Sequence, residues 1–229
     1  MTGTARDRTP GVLLDVDGTL LDTNYLHAFA WWQAMRDAGV EGITMTATHQ
    51  AVGIASEQLI EHLAPDANAR TAKKAIKAHS ARYKKLQGQV AAFDRAADLI
   101  LRCRAAGLAV VLATSGQESD LDWVLPAIGV EDGVITGWTT SADVGVAKPA
   151  PDLLNVAMEQ HGLDPSRTVA IGDTVWDVQA AHDAGVELIA FTCGGIVRCQ
   201  LEAAGADEIY DGPGDLMDHW DESAISRLR

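Results

Sequence analysis

The chain has 229 residues, of which 47% are hydrophobic and 22% charged, a composition that excludes disordered and collagen-like proteins. It carries 18 Lys and Arg residues against 32 Asp and Glu residues, and the resulting net charge of −14 argues against binding to nucleic acid or to anionic membranes. The length fits one large α/β domain, or a core domain with a small insert.

The predicted strands alternate with helical patterns along most of the chain. In chain order, the predicted strands are Val12–Val16, Leu108–Ala113, Val134–Thr136, Thr168–Ile171, Glu187–Phe191 and Glu208–Tyr210. The helical patterns between the later strands are Asp94–Ala106, Glu118–Ile128, Pro151–His161, Trp176–Ala184 and Arg198–Ala204. This alternation predicts an α/β fold, a Rossmann-like parallel sheet core with helices on both faces.

The interval between the first two strands breaks the alternation, because it contains only helical patterns. These are Tyr25–Ala38, Thr46–Leu63 and Asp66–Gln87. We therefore predict a small all-helical cap domain at residues 23–90, inserted into a core formed by residues 1–22 and 91–229.

The third of these helical patterns is strongly basic. The segment Asp66–Gly88 carries seven Lys and Arg residues against the single acid Asp66. A solvated basic helix face is the simplest interpretation. The alternative is that one or two of the bases reach an anionic substrate.

Two acids follow the first predicted strand. Because alternate residues of a strand point the same way, Asp15 and Asp17 can face one spot where the strand ends, and Gly18 then allows a sharp turn. Two acids that repel each other at the end of a buried strand need a compensating partner. A divalent cation such as Mg²⁺ would provide it.

A second acidic pair, Asp173 and Asp177, follows the predicted strand Thr168–Ile171. Ligands of open parallel sheets bind at the carboxyl ends of the strands, so both pairs project toward one edge. If their strands are neighbours, three or four carboxylates meet there. Such a set suits Mg²⁺, which prefers a few carboxylates, water and a substrate phosphate.

Polar groups suited to an anion lie after the strand Leu108–Ala113. Thr114 and Ser115 offer hydroxyls and backbone N–H groups beside the start of a helix, which predicts a phosphate-binding site. Lys148 adds a positive charge, and Pro149 favours an extended conformation for it. A nucleophile, a metal, hydroxyls and an ammonium group are the components of phosphoryl-transfer sites.

These motifs resemble the four ordered motifs of the haloacid dehalogenase superfamily of hydrolases. The residues that carry the resemblance are Asp15-Val16-Asp17-Gly18-Thr19-Leu20, Thr114, Lys148 and Gly172-Asp173 with Asp177. The nearest branch in pattern is the phosphoglycolate-phosphatase-like group with a C1-type helical cap between the first two motifs. A Pro-Gly pair usual in the family is Ala92-Phe93 here, which weakens any transfer of phosphoglycolate specificity.

The resemblance implies a role for each of these residues. Asp15 would be the nucleophile that forms an aspartyl-phosphate, and Asp17 would be the general acid and then the general base. Thr114 and Lys148 would hold the phosphoryl oxygens. Mg²⁺ would be bound by Asp15, the backbone carbonyl of Asp17 and Asp173, with Asp177 as a more distant or alternate metal group.

The implied function is a Mg²⁺-dependent phosphatase acting on a small anionic phosphorylated metabolite. One alternative is a phosphomutase of the same superfamily, which needs a second phosphate site in the cap. Another is a non-catalytic phospholigand-binding regulatory module, which predicts damaged motifs, and the motifs are intact. A dehalogenase is disfavoured because it would lack the second acid, Asp17; a phosphonatase would need a cap lysine such as Lys73, Lys74 or Lys77.

Several aromatic residues and histidines lie near the expected cleft. We expect packing to explain at least one of Trp31 and Trp32, and we favour a structural role for His27, although it could reach the substrate. Trp176 lies inside the fourth motif and either lines the cleft or packs.

The sequence also indicates the compartment. The three cysteines, Cys103, Cys193 and Cys199, are too few and too scattered for a disulfide framework. Met1–Pro10 has no signal-peptide pattern, and runs such as Leu108–Ala113 are too short to span a bilayer. We expect a cytoplasmic protein without a membrane or nucleic-acid partner.

Overall fold

The structure, a computed structural model, describes residues 8–131, 133–144 and 148–228. Within these residues, six strands form one sheet in the order β3-β2-β1-β4-β5-β6, and every neighbouring pair is parallel. The strands are β1 Thr9–Leu14, β2 Ala109–Ala113, β3 Gly137–Thr139, β4 Leu163–Gly172, β5 Glu187–Phe191 and β6 Glu208–Tyr210.

The side chains of the central strand β1 are buried on both faces of the sheet, which explains its continuous apolar run. Val12 pairs with Val110 on one side and with Val169 on the other. Val12 belongs to the apolar cluster on one face of the sheet, whereas its neighbour Leu13 belongs to the cluster on the opposite face. Both faces are therefore covered, as parallel sheets require.

After the first strand and the insert that follows it, helices and strands alternate along the chain, and these helices cover the sheet. They are α5 Ala96–Ala105, α6 Leu121–Ile128, α7 Asp152–Gln160, α8 Val175–Ala184, α9 Arg198–Ala204 and α10 Pro213–Asp218. The predicted α/β class, a parallel sheet with helices on both faces, is confirmed. None of the helices in the described part of the chain is long and apolar enough to cross a membrane.

Four helices lie between β1 and α5, where the sequence predicts a cap. They are α1 Asn24–Asp37, α2 Met45–Gln50, α3 Ser56–Leu63 and α4 Ala69–Leu86. They have an apolar cluster of their own that includes Trp31, Met35, Leu59 and Ala75. We refer to α1–α4 and the turns between them as the cap. The division into domains at residues 23 and 90 stays a prediction.

The region predicted as one helix, Thr46–Leu63, is two helices separated by a turn. Gly53 in this turn has φ +102°, which favours glycine. A Cβ at Gly53 would also lie 3.0 Å from the Thr174 hydroxyl oxygen, so the small residue lets the cap approach the sheet edge. The helical periodicity is correct on both sides of the turn and does not continue through it.

Two other sequence predictions differ from the structure near the edges of the sheet. The third strand lies at Gly137–Thr139 rather than at Val134–Thr136, because Ile135 packs into the core from a turn instead. Helix α10 has no predicted counterpart. Neither difference moves the carboxyl ends of β1, β2 and β4, which are adjacent in the sheet.

Candidate functional site

The centre of the site is a buried ion-pair network after β1. Lys148 Nζ lies 2.6 Å from Asp15 Oδ1 and 2.8 Å from Asp177 Oδ1, and it also donates to the carbonyl of Ala113 at 3.2 Å. Lys148 is 2% exposed, Asp15 7% and Asp177 3%. One ammonium group therefore joins two carboxylates, one directly after β1 and one in the first turn of α8.

Burial and mutual attraction set the charges of this network. Burial raises the pKa of Asp15 to about 7, and the nearby Lys148 offsets only part of this effect. Burial alone would lower the pKa of Lys148, but the attraction of Asp15 and Asp177 outweighs it and raises that pKa. Lys148 is therefore a permanent cation, and a further positive charge would favour the ionised form of Asp15.

Asp173, after β4, is held by residues from both parts of the molecule. Its Oδ1 accepts a hydrogen bond from the Thr19 hydroxyl at 3.1 Å, and its Oδ2 accepts one from Asn24 Nδ2 at 2.6 Å. Burial raises the pKa of Asp173 well above its ordinary value, and the neighbouring Asp177 and Asp15 add to the effect. Asn24 is the first residue of α1, so the first residue of the cap helices is hydrogen-bonded to Asp173.

The acidic residues form a set that fits a divalent cation. Asp15, Asp173 and Asp177 each offer a carboxylate oxygen, and these three oxygens lie within 4.8 Å of one another. The raised pKa values of Asp15 and Asp173 show that a cation would relieve a cost of burying these acids. An all-oxygen set with room for water and phosphate suits Mg²⁺.

Asp177 is already engaged by protein groups. Its Oδ1 faces Lys148, while its Oδ2 accepts hydrogen bonds from the Thr174 backbone N–H at 3.0 Å and the Thr174 hydroxyl at 2.5 Å. Thr174 and Asp177 thus form the capping box that begins α8. This arrangement places Asp177 beside Lys148, and whether Asp177 contacts a metal directly stays a prediction.

Asp17 faces the cap. Its Oδ1 accepts a hydrogen bond from the Thr23 hydroxyl at 2.7 Å and lies 3.2 Å from His27 Nε2. Although burial opposes ionisation, the contacts with His27 and Thr23 outweigh it and lower the pKa of Asp17. Asp15 and Asp17 therefore have opposite pKa shifts: the surroundings of Asp17 favour its ionised form, whereas those of Asp15 favour its protonated form.

His27 has two kinds of contact: it lies beside Asp17 and it packs against other cap residues. The structural role favoured from the sequence therefore describes only one of them. His27 Nδ1 lies 3.2 Å from His79 Nε2, and the His27 ring stacks on Tyr83 with 3.7 Å between ring centroids. Burial lowers the pKa of His79 to about 2, so His79 is neutral. His27 thereby connects Asp17 with the interior of the cap.

The predicted phosphate loop after β2 lies at the same edge. The Thr114 hydroxyl oxygen accepts a hydrogen bond from the Gly116 backbone N–H at 3.0 Å, which leaves its own proton free to donate. Ser115 instead donates its hydroxyl to the backbone carbonyl of Gly53 in the cap, at 3.0 Å. Ser115 thus contacts the cap in this structure.

Two more hydrogen bonds connect the cap to the sheet edge. Trp176 Nε1 donates to the backbone carbonyl of Gln50 at 3.0 Å, and His49 Nε2 lies 3.0 Å from the backbone carbonyl of Gly194. Trp176 therefore lies between cap and core, one of the two positions expected for it. Trp31 is buried in the cap cluster and also reaches the cleft, whereas Trp32 Nε1 donates to the carbonyl of Ile43.

A cavity of about 430 Å³ lies between the cap and the sheet edge. Its base contains Asp15 and Asp17, and its walls include His27, Trp31, His79, Tyr83, Lys84, Gln117, Asp120 and Trp123. Of the seven bases in the basic cap segment, only Lys84 lines this cavity, and its side chain is exposed. The basic face is otherwise surface, as the simplest interpretation predicts.

The sequence does not reveal the site residues Asn24, Tyr83 and Asp120. Asn24 reaches Asp173 across 149 positions of the chain, and only the folded cap brings the two together. Tyr83 and Asp120 line the cavity from α4 and from the turn before α6. None of the three belongs to a local pattern that indicates chemistry.

Comparison with known proteins identifies a family and several relatives of this chain. A family model described as a haloacid dehalogenase-like hydrolase matches residues 9–185. The chain is 32% identical over 190 residues to a phosphoglycolate phosphatase from Xylella fastidiosa (strain Temecula1), which covers 81% of this chain and 80% of the relative. It is 27% identical over 221 residues to the protein CbbY from Cereibacter sphaeroides, which covers 90% and 93% of the two chains.

A solved structure resembles the whole fold, cap included. The crystal structure of a hydrolase from Pseudomonas syringae superposes with a TM-score of 0.88 at 29% sequence identity. The match covers 94% of this chain and 99% of that one.

Proposed function

The chain belongs to the haloacid dehalogenase-like hydrolases, and on that premise we propose that it is a Mg²⁺-dependent phosphatase of a small phosphorylated metabolite. The observation that carries the proposal is the Lys148–Asp15 pair at 2.6 Å, buried beside Asp17 and Asp173 at the base of a cavity. A nucleophile and an acid–base group then face one space, and a fixed cation contacts the nucleophile.

Asp15 and Asp17 divide the reaction between them. An Asp15 oxygen attacks phosphorus, and the bond from phosphorus to the ester oxygen breaks. The negative charge of the phosphoryl group beside Asp17 favours the protonated form of this acid, and Asp17 gives its proton to the departing alcohol. Asp17 then takes a proton from water, and the water oxygen attacks the aspartyl-phosphate. Phosphate leaves and the Asp15 carboxylate is restored.

Fixed donors hold the phosphoryl group during both steps. Lys148 stays cationic and balances the charge on the phosphoryl oxygens, while the free proton of Thr114 and the N–H groups after it donate to them. Asp177 keeps Lys148 in place from the opposite side. Release of Ser115 from the Gly53 carbonyl would add a further donor.

Mg²⁺ would be held by the carboxylates of Asp15 and Asp173 and by the backbone carbonyl of Asp17. When bound, the ion supplies positive charge that favours the ionised nucleophile and neutralises the phosphoryl oxygens. Thr19 and Asn24 orient the Asp173 carboxylate, as groups behind metal ligands commonly do.

The cavity favours a phosphatase over a phosphomutase. A mutase must hold a second phosphate in the cap, which requires cations there. Among the described residues that line the cavity, Lys84 is the single Lys or Arg, and it is exposed. The phosphatase name of the Xylella fastidiosa relative supports the same choice.

The decisive test replaces the nucleophile. Asp15→Asn keeps the shape of the side chain, so we expect it to fold, and to reduce kcat for hydrolysis of p-nitrophenyl phosphate by at least about 10³-fold because no acyl phosphate can form. The matched control is Asp66→Asn, at an exposed acid of the cap. Circular dichroism checks the fold of both variants.

Metal removal completes the test. EDTA is expected to abolish the wild-type activity and added Mg²⁺ to restore it. Full activity of Asp15→Asn, or activity that EDTA leaves unchanged, contradicts the proposed mechanism.

A further inference from the structure

The cap side of the cavity defines the alcohol that leaves. Building on the proposed phosphatase function, we infer that the substrate is the monophosphate of an uncharged, hydroxyl-bearing skeleton of the sugar or polyol type, and that Tyr83 selects it through its phenolic hydroxyl. Three independent observations support this inference.

The first observation is an unpartnered polar atom. The Tyr83 hydroxyl has no hydrogen-bond partner among the described residues, although Tyr83 is only 6% exposed and lines the cavity next to Asp17 and His27. A buried hydroxyl without a partner is costly, so most are satisfied. A hydroxyl or ring oxygen of a substrate in the cavity would satisfy this one.

The second observation is the charge of the walls. Asp120 is a half-buried acid in the cavity, held by the Gln117 backbone N–H and by Trp123 Nε1 at 3.3 Å each. The only Lys or Arg among the described wall residues is the exposed Lys84, and His79 is neutral. A second carboxylate or phosphate on the substrate would therefore meet an acid without a buried cation to balance it.

The third observation is how the aromatic rings are arranged. Trp31 stacks on His79 with 4.0 Å between centroids and 8° between planes, and His27 stacks on Tyr83 at 3.7 Å and 20°. Each of these four rings has a face covered by another of the four. The faces that these rings present to one another are closed to a nucleobase, whereas a hydroxyl-bearing chain can meet ring edges, which carry the positive end of the ring quadrupole.

The volume of the cavity is also consistent with a sugar or polyol monophosphate. At about 430 Å³ the cavity lies inside the range of about 300–1,000 Å³ that is usual for small-molecule sites. It has room for a leaving group of several carbon atoms beside the phosphoryl group, more than the two-carbon acid of phosphoglycolate.

The experiment compares kcat/KM of the wild-type protein with Mg²⁺ for five substrates. These are glucose 6-phosphate, glycerol 3-phosphate, phosphoglycolate, adenosine 5′-monophosphate and p-nitrophenyl phosphate. We expect the better of the first two to exceed both phosphoglycolate and the nucleotide by about tenfold or more, the discrimination that one buried hydrogen bond provides.

Tyr83→Phe separates selection from structural support. It is expected to lower kcat/KM for the preferred sugar or polyol phosphate about tenfold, and to lower kcat/KM for p-nitrophenyl phosphate by a smaller factor, since that leaving group has no hydroxyl to bind. The matched control is Tyr210→Phe, whose hydroxyl bonds Glu208 far from the cavity. Calorimetric binding of the preferred ester to Asp15→Asn, with and without Tyr83→Phe, measures the same contact without turnover.

The possible outcomes are distinct. A preference for phosphoglycolate or the nucleotide overturns the inferred substrate class, and an equal loss on all substrates in Tyr83→Phe shows that Tyr83 supports Asp17 and His27 rather than the substrate. Either result leaves the phosphatase proposal intact if p-nitrophenyl phosphate is still hydrolysed. Absence of that hydrolysis in the wild-type protein overturns the phosphatase proposal and this inference with it.

Discussion

The two sides of the cavity satisfy their polar groups in different ways. At the sheet edge, Asp15 is paired with Lys148, and Asp173 accepts hydrogen bonds from Thr19 and Asn24. On the cap side, Tyr83 stacks on His27, and its hydroxyl has no partner among the described residues. The difference indicates that the sheet edge is prepared for one reaction, whereas the cap is left incomplete until a particular alcohol enters.

Removing the cation of the sheet edge should have the largest effect. In Lys148→Met two buried carboxylates, Asp15 and Asp177, lose their common partner. We expect the free energy of unfolding to fall by about 3–5 kcal/mol. We also expect activity to fall by at least about 10³-fold. Urea unfolding and p-nitrophenyl phosphate hydrolysis measure the two effects.

The control for this variant is Lys77→Met, at an exposed lysine of α4. It should change stability by no more than about 0.5 kcal/mol, as surface substitutions usually do. A Lys148→Met protein that is both stable and active would show that neither the burial of Asp15 and Asp177 nor the reaction needs the positive charge of this lysine.

The contact that joins the two sides should have a smaller effect. In His27→Gln the hydrogen bond between His27 and Asp17 is weakened, so the acid–base group is less well oriented. We expect kcat to fall about 10- to 100-fold with little change in KM, the usual loss when a supporting partner is removed. Steady-state kinetics with the exposed control His182→Gln test this, and a change in KM alone would show that His27 acts only on binding.

The smallest expected effect is a change of stability with pH in the metal-free protein. Because the pKa of Asp15 in the folded state is raised to about 7 from 3.8, its contribution to stability is complete below about pH 4 and is lost as the pH rises through 7. In EDTA, the free energy of unfolding of the wild-type protein should therefore fall between pH 5 and pH 8 by more than that of Asp15→Asn.

Urea unfolding at the two pH values, with and without Mg²⁺, measures this difference. Bound Mg²⁺ should raise wild-type stability most at pH 8, where Asp15 is ionised. Equal pH dependence in the two proteins would show that Asp15 is not the group that loses stability.

The features predicted from the sequence depend on local patterns. Apolar runs that end in acids located β1 and β4 and placed Asp15 and Asp173 at strand ends, because a parallel sheet brings its carboxyl ends to one edge. The α/β class and membership of the hydrolase family are confirmed. The roles of the individual site residues and the domain boundaries stay predictions.

What the sequence could not provide depends on how the cap packs. No periodicity places Tyr83 beside His27, or Asn24 beside Asp173, since these contacts join elements far apart in the chain. The turn at Gly53 interrupts a helical pattern that looks continuous, because its conformation is needed where the cap meets Thr174. The cap residues beside the cavity were therefore beyond prediction, whereas local patterns placed the acids Asp15 and Asp173 at the sheet edge.

Three of the hydrogen bonds between the cap and the sheet edge end on main-chain carbonyls. Ser115 and Trp176 donate to Gly53 and Gln50 of the cap, and His49 reaches the carbonyl of Gly194. Every residue type carries such a carbonyl, so the acceptors survive substitution of the side chains around them. Side chains of the cavity wall can consequently be replaced without removing these three acceptors, so a change of substrate contacts need not remove the acceptors that hold the cap on the sheet edge.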